Sequence, residues 1–189
     1  MNEVLPKLQK YAQGHKQLHI VFDIYREDSL KSQIRQKLGT GVLHRVSGGT
    51  KISTDWASFL RNDQNKTEVF EFLADKFASM NTQNETCIIV TRENMVPCNL
   101  DGQDVSDLQG CTQEEADTRM FLHTDYAANH GVSDAIICSS DTDVVVIAVS
   151  LVQRICLEKL WIAFGRGKDL RCNPNHDIAS AIGSKISGL

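Results

Sequence analysis

Four short apolar runs, each set off by polar or helix-patterned segments, most constrain what this chain can fold into. They are LHIVFDI from Leu18 to Ile24, TCIIVT from Thr86 to Thr91, AIIC from Ala135 to Cys138 and LWIAF from Leu160 to Phe164. Their length and their β-branched content read as buried strands. Between them, Asp28 to Leu38 has helix-forming composition and is stopped by Gly39 and Gly41. Glu68 to Met80 repeats Val69, Phe70, Leu73, Phe77 and Met80 at helical spacing, and a further helix is expected from about Gln113 to Asn129, closed by Gly131. Thr112 and Glu115 stand at capping-box spacing at its start, and His176 to Ile182 reads as a last short helix. Arg92 to Gly110 has no period and reads as a long loop. Strands alternating with helices predict an α/β fold, three-layered, with a mostly parallel sheet and helices on both faces.

With 189 residues, of which 41% are apolar, the chain fits a single domain over 1–189 with a real core. A net charge of −4 argues against wholesale coating of nucleic acid but leaves room for a local basic face. No stretch reaches the roughly 18 apolar residues of a membrane helix, and Met1 to Lys16 lacks the apolar core of a secretory signal. The six cysteines (Cys87, Cys98, Cys111, Cys138, Cys156 and Cys172) are scattered, with no CxxC pair and no Cys/His group at zinc spacing. They are expected to be free thiols of an intracellular protein, nuclear or cytoplasmic, with Cys87 and Cys138 inside buried strands. His123, His130 and His176 have no acidic or cysteine partner at ligand spacing and read as surface residues.

In parallel sheets, ligands gather at the carboxyl ends of strands. Asp23 ends the first strand, and Asp141 and Asp143 follow the third in IICSSDTDVVVIAV. Glu114, Glu115 and Asp117 fall at the start of the intervening helix in TQEEADTRM. Carboxylates brought together repel unless a cation lies between them, and hard oxygen ligands suit Mg²⁺ or Mn²⁺. Two such ions, about 4 Å apart, support phosphodiester hydrolysis. Each group also has a structural reading. The acids at the helix start suit its dipole, Glu115 closes a capping box, Asp23 is an ordinary strand-end residue, and Asp141 and Asp143 cap a helix beginning near Val144. Lys31, Arg35, Lys37, Arg45 and Lys51, with His44, make a segment without acidic residues between Ser29 and Thr54. That charge suits a phosphate backbone, or else forms a solvated face.

At these residues the chain resembles the flap-endonuclease branch of the PIN-like nucleases. VFDIYREDSLKSQIRQKLG is similar to that family's strand-ending aspartate followed by a basic helix, with Asp23 at the aspartate and Leu30-Lys31 at its Leu-Lys. EEADTRMF resembles its EAEA helix start, and SSDTDVVV its (T/S)xDxDxL turn, in the same order. The chain is also similar to a set of animal proteins that share EEADTR and DTDVVV blocks. The resemblance implies a metal-dependent nuclease of DNA or RNA, single-stranded or flapped. It implies metal ligands and catalytic groups at Asp23, Glu115, Asp117, Asp141 and Asp143, with Glu114 an alternative to Glu115. Two features depart from the family. No aspartate lies in Met1 to Gln17, where an earlier metal-binding strand is expected, and the family's GCD motif would fall beyond Leu189, so the expectation is a domain incomplete at both ends. A PIN-like module that binds nucleic acid or protein without cutting is the alternative. DTDVV also resembles the nucleophile motif of haloacid-dehalogenase phosphatases, a further alternative.

Overall fold

A computed structural model describes residues 4–25, 41–51, 54–82, 85–93, 95–111, 115–165 and 167–186. The expected helix over Asp28 to Leu38 lies outside the described residues. The chain is α/β and divides into two compact units, Met1–Ala116 and Asp117–Leu189.

In the first unit, α1 (Val4–Ala12) leads into β1 (Gln17–Ile20), which pairs in parallel with β2 (Cys87–Val90), Gln17 opposite Cys87 and Ile20 opposite Val90. Pro6 falls in the first turn of α1, where a helix tolerates the missing N–H. Leu5 and Leu8 of the same helix pack onto the core made by Ala74, Phe77, Ile88 and Val90. All four residues of β2 are buried, as an uninterrupted apolar run predicts. A short helix α2 (Trp56–Phe59) precedes α3 (Asp63–Ala78). The latter starts earlier than its apolar period suggests because the Asn62 side chain caps the backbone N–H groups of Gln64 and Asn65. Asn65 itself is fully buried and donates to the carbonyls of Val42 and Phe59, while accepting from the N–H of His44.

The stretch after β2 is more ordered than a bare loop. Cys98 makes an antiparallel bridge with Ile89, Arg92 with Met95, and a 3-10 turn covers Ser106–Leu108. Val96, Val105 and Leu108 anchor it by burial. Sparse apolar anchors without period explain why sequence patterning alone shows only a loop there.

In the second unit, α4 (Ala116–Asn129, whose first residue belongs to the first unit) runs into β3 (Asp134–Ser139). The turn between them closes on Gly131, at φ +80°, with Val132 N–H donating to the Ala127 carbonyl and Gly131 N–H to that of Ala128. That is a Schellman arrangement, and it requires a left-handed residue at this point. α5 (Thr142–Leu151), β4 (Lys159–Phe164), β5 (Arg171–Pro174) and α6 (Asn175–Ile186) follow. The sheet order is β3-β4-β5, parallel between the first two and antiparallel between the last two.

Phe121 of α4, Val144 and Ala148 of α5 and Ala179 of α6 form one core with Ile137, Leu160 and Ile162. Those three strand residues share a sheet face, because Ile137 is registered on Ile162, and Ala135 on Leu160. Two expectations are corrected here. β3 is not buried throughout: Ile136 is 55% exposed and Cys138 is exposed, since both point to the face opposite that core. His123 is not a surface residue; it shares a face of α4 with Ala127, one turn further on, and is only 2% exposed.

Candidate functional site

In the first unit the parallel pairing of β1 and β2 continues past both strands. Thr91 N–H donates to the Ile20 carbonyl at 2.9 Å, and the Thr91 hydroxyl accepts from Phe22 N–H at 2.7 Å. This fixes the backbone just before Asp23, an exposed residue beyond the carboxyl end of β1. Asp23 Oδ1 accepts the backbone N–H of Ala116 at 2.8 Å. Ala116 is the first residue of α4, and the first N–H groups of a helix have no partner within it. The carboxylate therefore satisfies an orphan donor and faces the positive end of the peptide dipoles. In the chain, Ala116 stands between Glu115 and Asp117, which are both half-buried. Glu114 and Thr112 lie outside the described residues.

The cleft beside Asp23 is lined also by Phe70, Glu71, Thr91, Arg92 and Glu93. Its volume of about 30 Å³ has room for a water or two. Glu71 titrates above the ordinary carboxyl value, first because it is partly buried and then because the charge and hydrogen bond of Glu93 oppose its ionisation. Arg92 offsets part of this and is itself paired with Asp75 at 2.6 Å. Glu71, Arg92 and Glu93 were not singled out by sequence. The rule that selects Asp23 after β1 also selects Arg92 and Glu93 after β2.

In the second unit, Asp141 and Asp143 follow the carboxyl end of β3. Asp141 is the N-cap of α5: its Oδ1 accepts from Asp143 N–H at 2.9 Å, and its own N–H donates to Ser139 Oγ at 3.0 Å. The helix begins at Thr142, close to the Val144 start weighed from sequence. Asp143 occupies its first turn, and both carboxylates are exposed. Asp117 lies in the first turn of α4, two residues before Arg119, which is fully buried. A buried guanidinium demands compensation, and nothing in a polar helix start announces it.

Of the basic stretch, Lys31, Arg35 and Lys37 lie outside the described residues. Arg45 is 88% exposed yet reaches Glu68 at 3.0 Å, with Val46 N–H donating to the other oxygen of the same carboxylate. Lys51 is exposed just after a turn at Gly48-Gly49. His130 is exposed and His176 half-buried.

Among the described residues, no group of three or more His, Cys, Asp or Glu side chains stands ready to hold a metal ion. The donor chemistry of the individual acids nonetheless fits a hard divalent cation. Asp23 and Asp141 each commit one oxygen to a backbone N–H and are exposed, as is Asp143. Among the described residues no helix is long and apolar enough to cross a membrane. The chain matches no protein-family model, no curated protein and no solved structure. What fold and site define is an α/β protein with parallel strand pairs and acidic residues at the carboxyl ends of strands.

Proposed function

We propose that the protein is a metal-dependent nuclease-like domain of the PIN/flap-endonuclease type, hydrolysing phosphodiester bonds of DNA or RNA. The observation that carries this reading is the hydrogen bond from Ala116 N–H to Asp23. It joins Asp23, three residues beyond β1, to the residue flanked by Glu115 and Asp117, which are 92 and 94 positions further on (115 − 23 and 117 − 23). A second support is the placement of Asp141 and Asp143 directly after β3, a strand of a parallel pair. The reading implies the three-layer α/β arrangement of that family. As the resemblance implies, it gives metal-ligand roles to Asp23, Glu115 (or Glu114), Asp117, Asp141 and Asp143, with Mg²⁺ or Mn²⁺ as the ion. Such ions supply an activated water and stabilise the leaving oxygen. The chain's own acids orient the cations, and Lys31, Arg35, Lys37, Arg45 and Lys51 supply positive charge toward the phosphate backbone.

The assay is cleavage of single-stranded and flapped DNA, and of RNA, with Mn²⁺ or Mg²⁺ against a chelator control. Cleavage that requires the metal and disappears in Asp141→Asn supports the reading; metal-independent binding without cleavage in the folded wild-type chain overturns it. That second outcome would fit a non-cutting nucleic-acid-binding module. The capping roles of Asp23 and Asp141 favour this runner-up, because they give both acids structural work independent of catalysis.

A further inference from the structure

We propose that Cys87 and Cys98 form a dithiol site that a small-molecule disulfide converts into an intramolecular disulfide. Their Sγ atoms lie 3.3 Å apart. A disulfide bond is about 2.05 Å, so the sulfurs need to approach by roughly 1.2 Å, within reach of small side-chain rotations. The backbone on both sides is held. Cys98 bridges to Ile89, Val90 N–H donates to the Pro97 carbonyl at 3.0 Å, and Asn99 N–H donates to that of Ile88 at 3.1 Å. The Asn99 side chain adds a clamp, accepting from Ile88 N–H and donating to the carbonyls of Thr86 and Met80. Two chain segments locked in register keep the thiols as neighbours.

The two sulfurs have unequal roles. Cys98 is half-exposed and its Sγ accepts the Leu100 N–H at 3.5 Å. Cys87 is buried in β2, and its thiol is pushed up to about 12, by burial first and then by its hydrogen bond to Cys98 and that neighbour's charge. Cys98 is therefore the sulfur that meets the oxidant. Its thiolate attacks one sulfur of the small disulfide, that S–S bond breaks, and one small thiolate leaves. Cys87 then gives its proton to that departing thiolate, and its sulfur attacks Cys98 Sγ. The Cys87–Cys98 bond forms as the mixed S–S bond breaks, and the second small group leaves as a thiolate that takes up from water the proton Cys98 gave up on ionising. Two protein thiols are oxidised, and one small disulfide is reduced to two thiols. The resulting ring encloses Thr91, Arg92 and Glu93, the turn that lines the cleft beside Asp23. The site stands independently of the nuclease reading.

The test equilibrates the full chain with oxidised glutathione, alkylates the remaining thiols and maps the peptides by mass. The expected result is a Cys87–Cys98 cross-link with an upward shift in Tm, and in Cys87→Ser a glutathione adduct trapped on Cys98. In Cys98→Ser, Cys87 should stay unmodified, which keeps the test decisive if Cys87→Ser fails to fold. Alkylatable Cys87 and Cys98 in wild-type protein whose exposed Cys138, Cys156 and Cys172 have reacted would overturn the proposal. So would a glutathione adduct on wild-type Cys98 that never resolves onto Cys87.

Discussion

The carboxylate of Asp23, three residues past the end of β1 at Ile20, accepts the backbone N–H of Ala116 at 2.8 Å, so one acid serves the start of α4 as well as the proposed metal site. Two substitutions separate these tasks. Asp23→Ala removes the acceptor and should cost about 1 kcal/mol in urea denaturation, the usual loss when a helix-start N–H is orphaned. Asp23→Asn keeps an acceptor oxygen and should stay within about 0.5 kcal/mol of wild type, while losing any Mn²⁺-dependent cleavage. An Asn variant that still cuts at wild-type rate would remove Asp23 from the catalytic set.

Asp141 invites the same dissection at the start of α5. Its Oδ1 caps Asp143 N–H, so Asp141→Ala should destabilise by about 1 kcal/mol, and Asp141→Ser should restore most of that, because serine caps comparably. Cleavage should fall in all three variants, Ala, Ser and Asn, since none supplies a carboxylate. Activity that tracked stability across the series, recovering in Ser, would assign Asp141 a capping role alone.

Of the strands, CIIV was the most legible, because every residue of its run is inside, whereas the expected buried strand from Leu18 to Ile24 is β1, which stops at Ile20 with its four residues only half-buried. α5 was less legible. Its TDVVVIAVSL is rich in strand formers, and the Asp141 cap together with packing of Val144 and Ala148 overrides that preference. β5, RCNP, carries no pattern of its own and exists through its antiparallel pairing with β4. The acids at strand ends could be found by rule. Arg92 and Glu93 obey the same rule but follow β2 inside a stretch that reads as loop. The closeness of Asp23 to Ala116 is set by tertiary structure, and no local spacing encodes it.

Asn65 tests how the segment after Gly41 is attached. Its fully buried amide serves two carbonyls and one N–H from Val42, Phe59 and His44. Asn65→Ala leaves these groups without their partner and should cost about 3 kcal/mol, more than any exposed capping change. Chemical denaturation of this variant beside Asp23→Ala gives the comparison; equal midpoints would mean that water replaces the amide without penalty.

His19, which pairs with Ile89 across the β1–β2 ladder, should make stability depend on pH below neutrality. Burial lowers its titration from 6.5 to about 4, so the folded chain resists a proton that the unfolded chain accepts. Between those values the unfolded state binds more protons, and stability must fall as pH drops from about 6.5 toward 4. Above that window the contribution is fully present and flat. The largest loss is roughly 3 kcal/mol, and the true figure is smaller because the half-buried ring keeps some water. Replacing it with glutamine, which does not titrate, should remove this component. Urea midpoints measured from about pH 7.5 to about pH 4.5 would show a steeper decline for wild type than for His19→Gln. Parallel curves for the two proteins would mean that the acid sensitivity resides in other groups and that His19 protonates in the fold as readily as in the open chain.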